Sequence, residues 1–421
     1  MKFTLTDRER IPAVIVGSAG LGTLGLLRSL RAADIPVVLI DNNVSTPAMH
    51  SRHGHKIAVR QLGGVTLIKE LQSVASALAG PAVLFLNSDD AVLTVSEHRT
   101  ELENHYRFLL PGHDCVTSLM YKASFQRMAE QHGFPVPRSV IIGQIEDLSR
   151  LARLKFPCLI KPSRGTAEYM AASLARGYKV SSREEAEAVC RRLLILVPGL
   201  DLIVQEWIEG PASAIYFCLQ YRTADGATVG SFTGRKLTIW PLDVGVTARC
   251  TVAPDARPIL QPLTEAFFES VSFVGMGGME FKKDVRTGQF LMIEPTVGRI
   301  DGQEEVATLH GVNIPLAAYC HQAGFPEIDC VSAPNPVIWR DFVSDWRASR
   351  SNGTHSELIT NARIYDAYWR PDDPIPALFH FRDELEELLR RAVRRLHKLA
   401  RSLDTTIRRL LKGCNTCSGI L

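Results

Sequence analysis

The sequence predicts an α/β protein in which a small parallel sheet precedes an α+β region and a basic C-terminal helix. Three observations support this prediction. Apolar strands alternate with helical patterns from residue 11 to about residue 115, as is typical of a parallel sheet flanked by helices. Residues 213–254 have the pattern of a β-meander, and residues 278–294 have that of a β-hairpin. From Leu385 onward, apolar residues recur at helical spacing among many arginines.

These patterns divide the chain of 421 residues into three predicted segments. Residues 1–115 form an N-terminal α/β domain, and residues 331–421 form a C-terminal extension. The central segment, residues 116–330, is expected to contain a first subdomain over 116–205 and a second over 206–330. With 46% hydrophobic residues, the chain is long enough to bury a core in each of these parts.

Composition excludes some classes of protein. The net charge is only +3 at pH 7, so the overall field favours no specific nucleic acid partner. The N-terminal segment is polar and no apolar run is long enough to cross a bilayer, which predicts a cytoplasmic location. The cysteines show no disulfide framework and are expected to be reduced; Cys414 and Cys417 lack the second pair that a structural zinc site needs.

The predicted helix over residues 385–411 is both amphipathic and strongly basic. One interpretation is that it packs on its own domain or on a second copy of the chain in a homodimer. The other is peripheral contact with an anionic surface, such as the inner face of a membrane. The pattern alone leaves both open.

A glycine-rich stretch follows the first predicted strand. The sequence VIVGSAGLGTLG contains a G-x-G-x-x-G run at Gly20, Gly22 and Gly25, and Asp41 ends the next apolar run. This pattern suggests an NAD(P)-dependent oxidoreductase with the acid on a ribose. However, the strand is separated from the first of these glycines by a longer turn than that motif uses.

Two glutamates occupy the predicted C-terminal hairpin. Glu280 and Glu294 fall on one face and opposite each other if the hairpin loop has an odd number of residues. Apolar neighbours indicate that this hairpin is buried, and opposed buried carboxylates need a cation. Hard oxygen ligands favour Mg²⁺ or Mn²⁺ shared with nucleotide phosphates.

Two further stretches suit a nucleotide. In FPCLIKPSRGT, Lys161 ends an apolar strand beside a loop with Ser163 and Gly165, a combination of point charge and backbone N–H groups that suits a polyphosphate. In LIVQEWIEG, an apolar strand runs into a linker whose backbone can meet an adenine edge, while Glu209 can accept hydrogen bonds from ribose hydroxyls.

The order of strand lysine, linker glutamate and paired hairpin glutamates resembles the ATP-grasp superfamily. The resemblance covers about residues 10–325 and is strongest to the carboxylate-amine ligase branch, which includes D-aspartate ligase-like proteins and carbamoyl-phosphate synthase large-chain-like domains. Its motifs are MYKASFQRMAEQHGFPVPRS, FPCLIKPSRG, QEWIEG and MEFKKDVRTGQFLMIEPTVGR.

The resemblance implies a fold, ligands and a reaction. It implies a two-subdomain ATP-grasp fold after an N-terminal domain whose glycines serve a tight turn. It also implies ligation of a carboxylate to an amine through an acyl phosphate, on an amino acid or small peptide. The residues that it assigns are Lys122 and Lys161 on the phosphates of ATP, Glu206 and Ile208 around the adenine, and Glu280 and Glu294 on two Mg²⁺ ions.

Four more residues complete the predicted site. Arg299 is expected to stabilise the oxyanion, and Arg235 with Lys236 to hold a phosphate or the substrate carboxylate. Thr296 stands where the family usually has asparagine, in Glu294-Pro-Thr-Val-Gly-Arg299. Its hydroxyl can still ligate Mg²⁺, but the change also allows a non-catalytic ATP-binding scaffold.

Overall fold

The computed structural model describes residues 11–390, except for 19, 165–166, 173–174, 327, 329–331, 334 and 353–360, together with residues 392, 393 and 397. Gly165, Cys414, Cys417 and the predicted helix beyond residue 397 lie outside the described residues. Among those described, no helix combines the length and the apolar character needed to cross a bilayer.

The N-terminal part is a five-stranded parallel sheet with the order β3-β2-β1-β4-β5. Its strands and helices are β1 (Ala13–Val16), α1 (Leu21–Arg31), β2 (Val37–Asp41), β3 (His55–Ala58), α2 (Gly64–Ala77), β4 (Ala82–Leu86), α3 (Asp89–Glu97), α4 (Arg99–Leu102) and β5 (Tyr106–Arg107).

Strand β1 is the centre of this sheet and is buried on both faces. Val14 and Val16 pack toward α2 and α3, while Ala13 and Ile15 pack toward α1. A strand that is apolar on both sides is typical of parallel sheets covered by helices. The predicted α/β domain therefore has the expected architecture.

A pair of helices, α5 (His113–Met120) and α6 (Lys122–Gln131), leads into the second part. The sequence pattern predicts one continuous helix here, but the chain is extended at Tyr121 (φ −91°, ψ 114°). The break has a physical cause, because Ser163 supplies partners for the start of α6. Its carbonyl accepts a hydrogen bond from Lys122 N at 3.0 Å, and its hydroxyl accepts one from Ala123 N at 3.1 Å.

The second part is a four-stranded antiparallel sheet with the order β6-β9-β7-β8. Helix α8 and its neighbours cover one face of this sheet with an apolar core of their own. The elements are β6 (Ser139–Ile142), β7 (Cys158–Pro162), α7 (Ala167–Ala171), β8 (Tyr178–Val180), α8 (Arg183–Leu196) and β9 (Leu202–Glu206).

The third part is a seven-stranded sheet with the order β14-β13-β10-β11-β12-β15-β16. The elements are β10 (Ile215–Arg222), β11 (Thr228–Trp240), β12 (Val246–Val252), α9 (Arg257–Ser270), β13 (Gly275–Lys283), β14 (Phe290–Val297), α10 (Glu305–Leu309), α11 (Ile314–Ala323), β15 (Val337–Arg340), α12 (Phe342–Asn352) and β16 (Arg363–Asp366). Strands β10 to β12 form the meander and β13 with β14 the hairpin that the sequence predicts.

The last described helix, α13 (375–390), follows a segment that folds back onto the N-terminal part. The Arg28 guanidinium on α1 donates to Asp373 Oδ2 and to the carbonyls of Ala367 and Tyr368. Asp373 also accepts from Ser51 Oγ at 2.8 Å. Since β15 and β16 extend the sheet built by residues 215–297, the domain boundary predicted at residue 330 falls within one tertiary unit.

Candidate active site

The hairpin β13–β14 brings Glu280 and Glu294 directly opposite each other. The loop between Asp284 and Gln289 has an even number of residues, so loop length is not what aligns them. Instead, Ile293 forms a bulge: Phe281 pairs with Met292, and the next pair is Glu280 with Glu294. One extra residue in a strand shifts the register by one, and here it puts both carboxylates on the same face.

Each glutamate is paired with a lysine from another element. Lys122 Nζ lies 2.8 Å from Glu294 Oε1, at the start of α6. Lys236 on β11 forms an ion pair with Glu280 Oε2. The carboxylates are therefore held by cations from two different parts of the fold.

Lys161, at the end of β7, adds a third ammonium group to this cluster. Desolvation lowers the pKa of Lys161, although Glu294 and Glu280 oppose that change. Desolvation also disfavours the ionised Glu294, but Lys122 and Lys161 outweigh it and lower the pKa of Glu294 to about 2. In turn, Glu294 raises the pKa of Lys122. The carboxylate and the ammonium groups stabilise one another's charged forms.

A cavity of about 550 Å³ lies against this cluster and runs between the four-stranded and the seven-stranded sheets. Its walls combine charged residues at one end with an apolar and aromatic surface at the other. The residues that line it include Asp89, Lys122, Lys161, Glu206, Trp207, Ile208, Lys282, Glu280 and Glu294. This size is within the range of small-molecule and cofactor sites.

The apolar end of the cavity is the linker after β9. Ile208 is buried and lines the cavity. The carboxylate of Glu206 accepts a hydrogen bond from Lys155 N at 2.8 Å, so it fixes the linker to the preceding loop. The structure does not place Glu209 among the residues that line the cavity, although its charge acts on Lys282.

Trp207 is the aromatic surface of this end. The ammonium groups of Lys179 and Lys282 lie 4.1 Å and 4.4 Å from its ring centroid, within the range of cation–π attraction. Desolvation lowers the pKa of Lys282 to about 8, with Glu209 opposing. A flat aromatic ring beside apolar Ile208 can pack against a planar base.

Of the two predicted phosphate-loop residues, the structure describes Ser163. Ser163 is buried and its hydroxyl is used to start α6, so it orients Lys122 rather than lining the cavity. Gly165 lies outside the described residues, and its predicted role stays a prediction.

Arg299 and Thr296 lie beside the glutamates. Arg299 Nε lies 2.6 Å from Asp89 Oδ1, and its Nη1 lies 3.7 Å from Asp301 Oδ1. The Thr296 hydroxyl donates to Asp301 Oδ1 at 2.5 Å. Since Thr296 is two residues from Glu294 on β14, both side chains project to the same face.

Arg235 and Lys236 do not act together as the sequence suggested. Successive side chains of a strand point to opposite faces. Lys236 meets Glu280, whereas Arg235 lines a second cavity of about 680 Å³ with Thr251 and Arg257. The structure thus leaves Arg235 away from the paired glutamates.

The N-terminal glycines make close contacts instead of a dinucleotide site. A Cβ at Gly22 would lie 2.9 Å from Asn87 Nδ2, and one at Gly25 would lie 3.1 Å from Glu305 Cβ. The Asp41 carboxylate is fully buried and accepts from the backbone N–H groups of Ser18 and Asn43. The Asp41 carboxylate that an NAD(P) ribose would need is therefore engaged in internal hydrogen bonds, and the oxidoreductase alternative is not favoured.

The described residues fit a magnesium nucleotide better than a protein-only metal site. They contain no cluster of three or more His, Cys, Asp and Glu side chains suited to a metal. Magnesium is usually held by one or two carboxylates together with substrate phosphates. Glu280 and Glu294, opposite each other on one hairpin and beside three lysines, supply that donor set.

Sequence reasoning missed several residues of this site. Asp89, at the start of α3, and Asp301, after β14, flank Arg299 and belong to no recognisable motif. Trp207 and Lys282 also line the base end of the cavity. Trp207 lies inside the quoted linker motif, and Lys282 is two residues after Glu280 on the same face of β13, a position that strand alternation could have identified.

Comparisons with known proteins support the fold. No family model matches the chain. The D-aspartate ligase of Enterococcus faecium is 22% identical over 227 residues, which cover 52% of this chain and 53% of that protein. The chain therefore spans about half the length of the curated relative that it matches.

Solved structures match a larger share of the chain. N5-carboxyaminoimidazole synthetase from Staphylococcus aureus, in complex with ADP, has a TM-score of 0.61 at 11% identity, covering 78% of this chain and 81% of that one. The biotin carboxylase domain of Hydrogenobacter thermophilus 2-oxoglutarate carboxylase, a dimer with MgADP, has a TM-score of 0.59 at 17% identity, covering 79% and 74%. At identities this low, the likeness concerns the fold, and the chain has the ATP-grasp fold that its sequence motifs resemble.

Proposed function

We propose that this protein is an ATP- and Mg²⁺-dependent ligase that joins a carboxylate to an amine. The observation behind the proposal is the direct opposition of Glu280 and Glu294 within reach of Lys122, Lys161 and Lys236, at one end of a cavity of nucleotide size. The D-aspartate ligase relative and the ADP-bound structural neighbours support the same class of chemistry.

In this proposal, the cavity holds ATP along its length. The base packs between Trp207 and Ile208, and the backbone after Glu206 meets its edge. Lys122 and Lys161 contact the phosphates, with Ser163 orienting Lys122 and Gly165 adding backbone N–H groups. Glu209 reaches the ribose.

Glu280, Glu294 and the hydroxyl of Thr296 would hold magnesium. The ion, when bound, supplies positive charge that offsets the charge of the phosphates. Lys122 and Lys161 add to this effect from the opposite side of the cleft, in a site where electrostatic stabilisation and positioning dominate phosphoryl transfer.

The proposed reaction has two steps. A carboxylate oxygen of the acid, an amino acid or small peptide, attacks the γ-phosphorus of ATP, and the bond to the β-phosphate oxygen breaks to release ADP. The amine nitrogen then attacks the acyl carbon of the resulting acyl phosphate. The C–O bond to phosphate breaks, phosphate leaves, and the nitrogen loses a proton to give the amide.

Two side chains are proposed to act on the oxyanion of the second step. Arg299 lies next to Glu294, held by Asp89 and Asp301. Lys236 lies on the other side, at Glu280. A positioned cation at a developing oxyanion typically contributes about 3 kcal/mol. Arg235, on the opposite face of its strand, is not part of this assignment.

The proposal also covers location and partners. We place the protein in the cytoplasm, with the helix 385–411 as a contact surface for a second copy or for the inner face of a membrane. Small-molecule acids and amines are the expected substrates.

An ADP-release screen tests the proposal. Amino acids and small carboxylic acids are crossed with amines in the presence of ATP and Mg²⁺, and amide product is detected by mass spectrometry. We expect at least one pair to give equal amounts of ADP and amide. Glu280→Gln should reduce the rate at least about a hundredfold, as loss of a transition-state charge contact does. Glu269→Gln, an exposed change on α9, should not.

Two results would contradict the proposal. ATP binding without ADP release for any pair would favour a scaffold. Equal rates for Glu280→Gln and Glu269→Gln would remove the paired glutamates from the mechanism.

A further inference from the structure

The second cavity, of about 680 Å³, contains Arg235, whose side chain points away from the paired glutamates. Residues of β11, β12, the start of α9 and the turn after α10 line this cavity. Its volume is within the range of small-molecule sites. No step of the proposed ligase reaction uses it.

Two guanidinium groups line the second cavity. Arg235 lies on β11 opposite Thr251 of β12, and Arg257 is the first residue of α9. Among the described residues of the wall, Asp255 is the one acid, so two arginines leave an excess of one positive charge. Helix α9 spans 14 residues and begins here without a side-chain cap. The positive end of its dipole adds to the attraction for an anion.

His310 supplies a neutral polar group at the same wall. Its side chain is 6% exposed, and its Nδ1 is buried without a hydrogen-bond partner among the described residues. Desolvation lowers the pKa of His310, so the imidazole is uncharged at neutral pH. Since Nδ1 is enclosed, Nε2 is the ring nitrogen that can meet a ligand. A neutral imidazole that carries its proton on Nε2 is a hydrogen-bond donor.

Apolar side chains form another part of the wall. Phe232, Val252 and Val312 line the cavity, and the Phe232 ring meets the His310 ring edge-on, with 5.9 Å between the centroids. Apolar walls with a few convergent polar groups are typical of sites for organic ligands. Guanidinium groups bind carboxylates and phosphates through paired hydrogen bonds. This combination fits an organic anion better than a bare inorganic ion.

We propose that the second cavity is a binding site for a small organic anion. The carboxylate or phosphate group of the ligand contacts Arg235 and Arg257, with a hydrogen bond from His310. The apolar part of the ligand packs against Phe232. The site is separate from the proposed ATP site, because Arg235 and the adjacent Lys236 point to opposite faces of β11. The proposal therefore does not depend on the ligase reaction.

Isothermal titration calorimetry of the full chain tests the proposal. The probes are phenyl phosphate and benzoate, which carry the two kinds of anionic group on the same phenyl ring. Inorganic phosphate and acetate are the matching anions without the ring. A non-hydrolysable ATP analogue and Mg²⁺ are present throughout, so that the proposed ATP site is filled. We expect at least one ring-bearing probe to bind, and to bind more tightly than its matching anion.

Variants locate the bound probe. Arg257→Ala, an exposed change, should weaken binding at least about tenfold, because a charged hydrogen-bond partner is lost. Arg235→Gln should have the same effect. Arg191→Ala, an exposed change on α8, is the matched control and should bind as the wild type does. Lys161→Met should also retain binding, because Lys161 lines the other cavity. Circular dichroism checks that each variant is folded.

Four results would overturn the proposal. One is the absence of binding for both ring-bearing probes at millimolar concentration. Another is binding that either arginine variant leaves unchanged. The third is binding that Lys161→Met abolishes, which would place the anion in the proposed ATP site. The fourth is inorganic phosphate or acetate that binds as tightly as the probe with the same anionic group.

Discussion

At the residue scale, Thr296 is the main departure of this site from the ATP-grasp pattern, which usually has asparagine at this position. It is buried and donates to Asp301 Oδ1 at 2.5 Å, and Asp301 also lies 3.7 Å from Arg299. Because the hydroxyl proton is donated to Asp301, the lone pairs of the Thr296 oxygen can still coordinate a metal ion. A threonine can therefore act as an oxygen ligand while it positions the acid beside Arg299.

We predict that Thr296→Val raises the Mg²⁺ concentration needed for half-maximal ADP release and destabilises the fold by about 1–2 kcal/mol, because a buried hydrogen bond to a carboxylate is lost. Magnesium titration of the reaction rate and urea unfolding measure the two effects. Thr296→Ser keeps the hydroxyl and should retain the wild-type magnesium dependence. If both variants need the same magnesium as the wild type, Thr296 is not a ligand.

At the scale of elements, two consecutive buried glutamates, Glu304 and Glu305, lie where helix α10 packs against α1. Their hydrogen-bond partners differ in charge. The carboxylate of Glu304 accepts hydrogen bonds from two hydroxyl groups, Ser29 Oγ and Thr308 Oγ1. Glu305 accepts from Arg370 at 2.9 Å and from Trp339 Nε1 at 3.0 Å. Desolvation raises the pKa of Glu304 to about 8.

Replacing each glutamate by glutamine should change the stability of the folded protein in opposite directions at the two positions. The unfolded chain ionises Glu304 near its ordinary pKa of 4.5, and the folded chain near 8. Between these values the folded state binds more protons, so this group lowers stability as the pH rises, up to about pH 8. We predict that Glu304→Gln has a higher urea midpoint than the wild type at pH 8 and an equal one at pH 4.

Glu305→Gln is the adjacent control and should lower the midpoint at pH 8, because it removes the negative charge that faces Arg370. Urea unfolding at the two pH values checks both variants. A Glu304→Gln protein that is less stable than the wild type at pH 8 would show that Glu304 is ionised in the folded state.

The elements also show what the sequence could and could not predict. Apolar runs bounded by turn residues identified the meander and the hairpin, because both signals lie within a few residues of the sequence. The bulge at Ile293 and the helix break at Tyr121 were not predictable, since each depends on a distant partner. Ser163, far away in sequence, caps α6, and the loop of the hairpin alone would have set Glu280 against Ile293.

The same limit applies to the site. Lys161, Glu280 and Glu294 are predictable, because each sits in a local pattern of strand and loop. Arg235 was misplaced, since a meander pattern fixes which residues alternate but not which face turns to the cleft. Asp301 was missed because its contacts with Thr296 and Arg299 depend on the conformation of the turn after β14, which the sequence pattern does not specify.

At the scale of the whole molecule, the cleft is lined by residues from three parts of the chain. Lys122 and Lys161 come from the region before residue 206, Glu280 and Glu294 from the seven-stranded sheet, and Asp89 from the N-terminal domain. A bound polyphosphate would contact all three parts at once. A ligand that binds only the folded state stabilises it by RT ln(1 + [L]/Kd), about 2.7 kcal/mol at a hundredfold excess over Kd.

We therefore predict that ATP with Mg²⁺ raises the melting temperature of the wild type and that NAD(P)H does not, since Asp41 and the N-terminal glycines are engaged in internal contacts. Differential scanning fluorimetry measures the shift. Lys161→Met should lose most of it, because the Lys161 ammonium lines the cavity and would contact the phosphates, whereas Lys155→Met, an exposed change on the neighbouring loop, should keep it. A shift with NAD(P)H, or one that Lys161→Met leaves unchanged, would place the nucleotide outside the cleft between the four-stranded and the seven-stranded sheets.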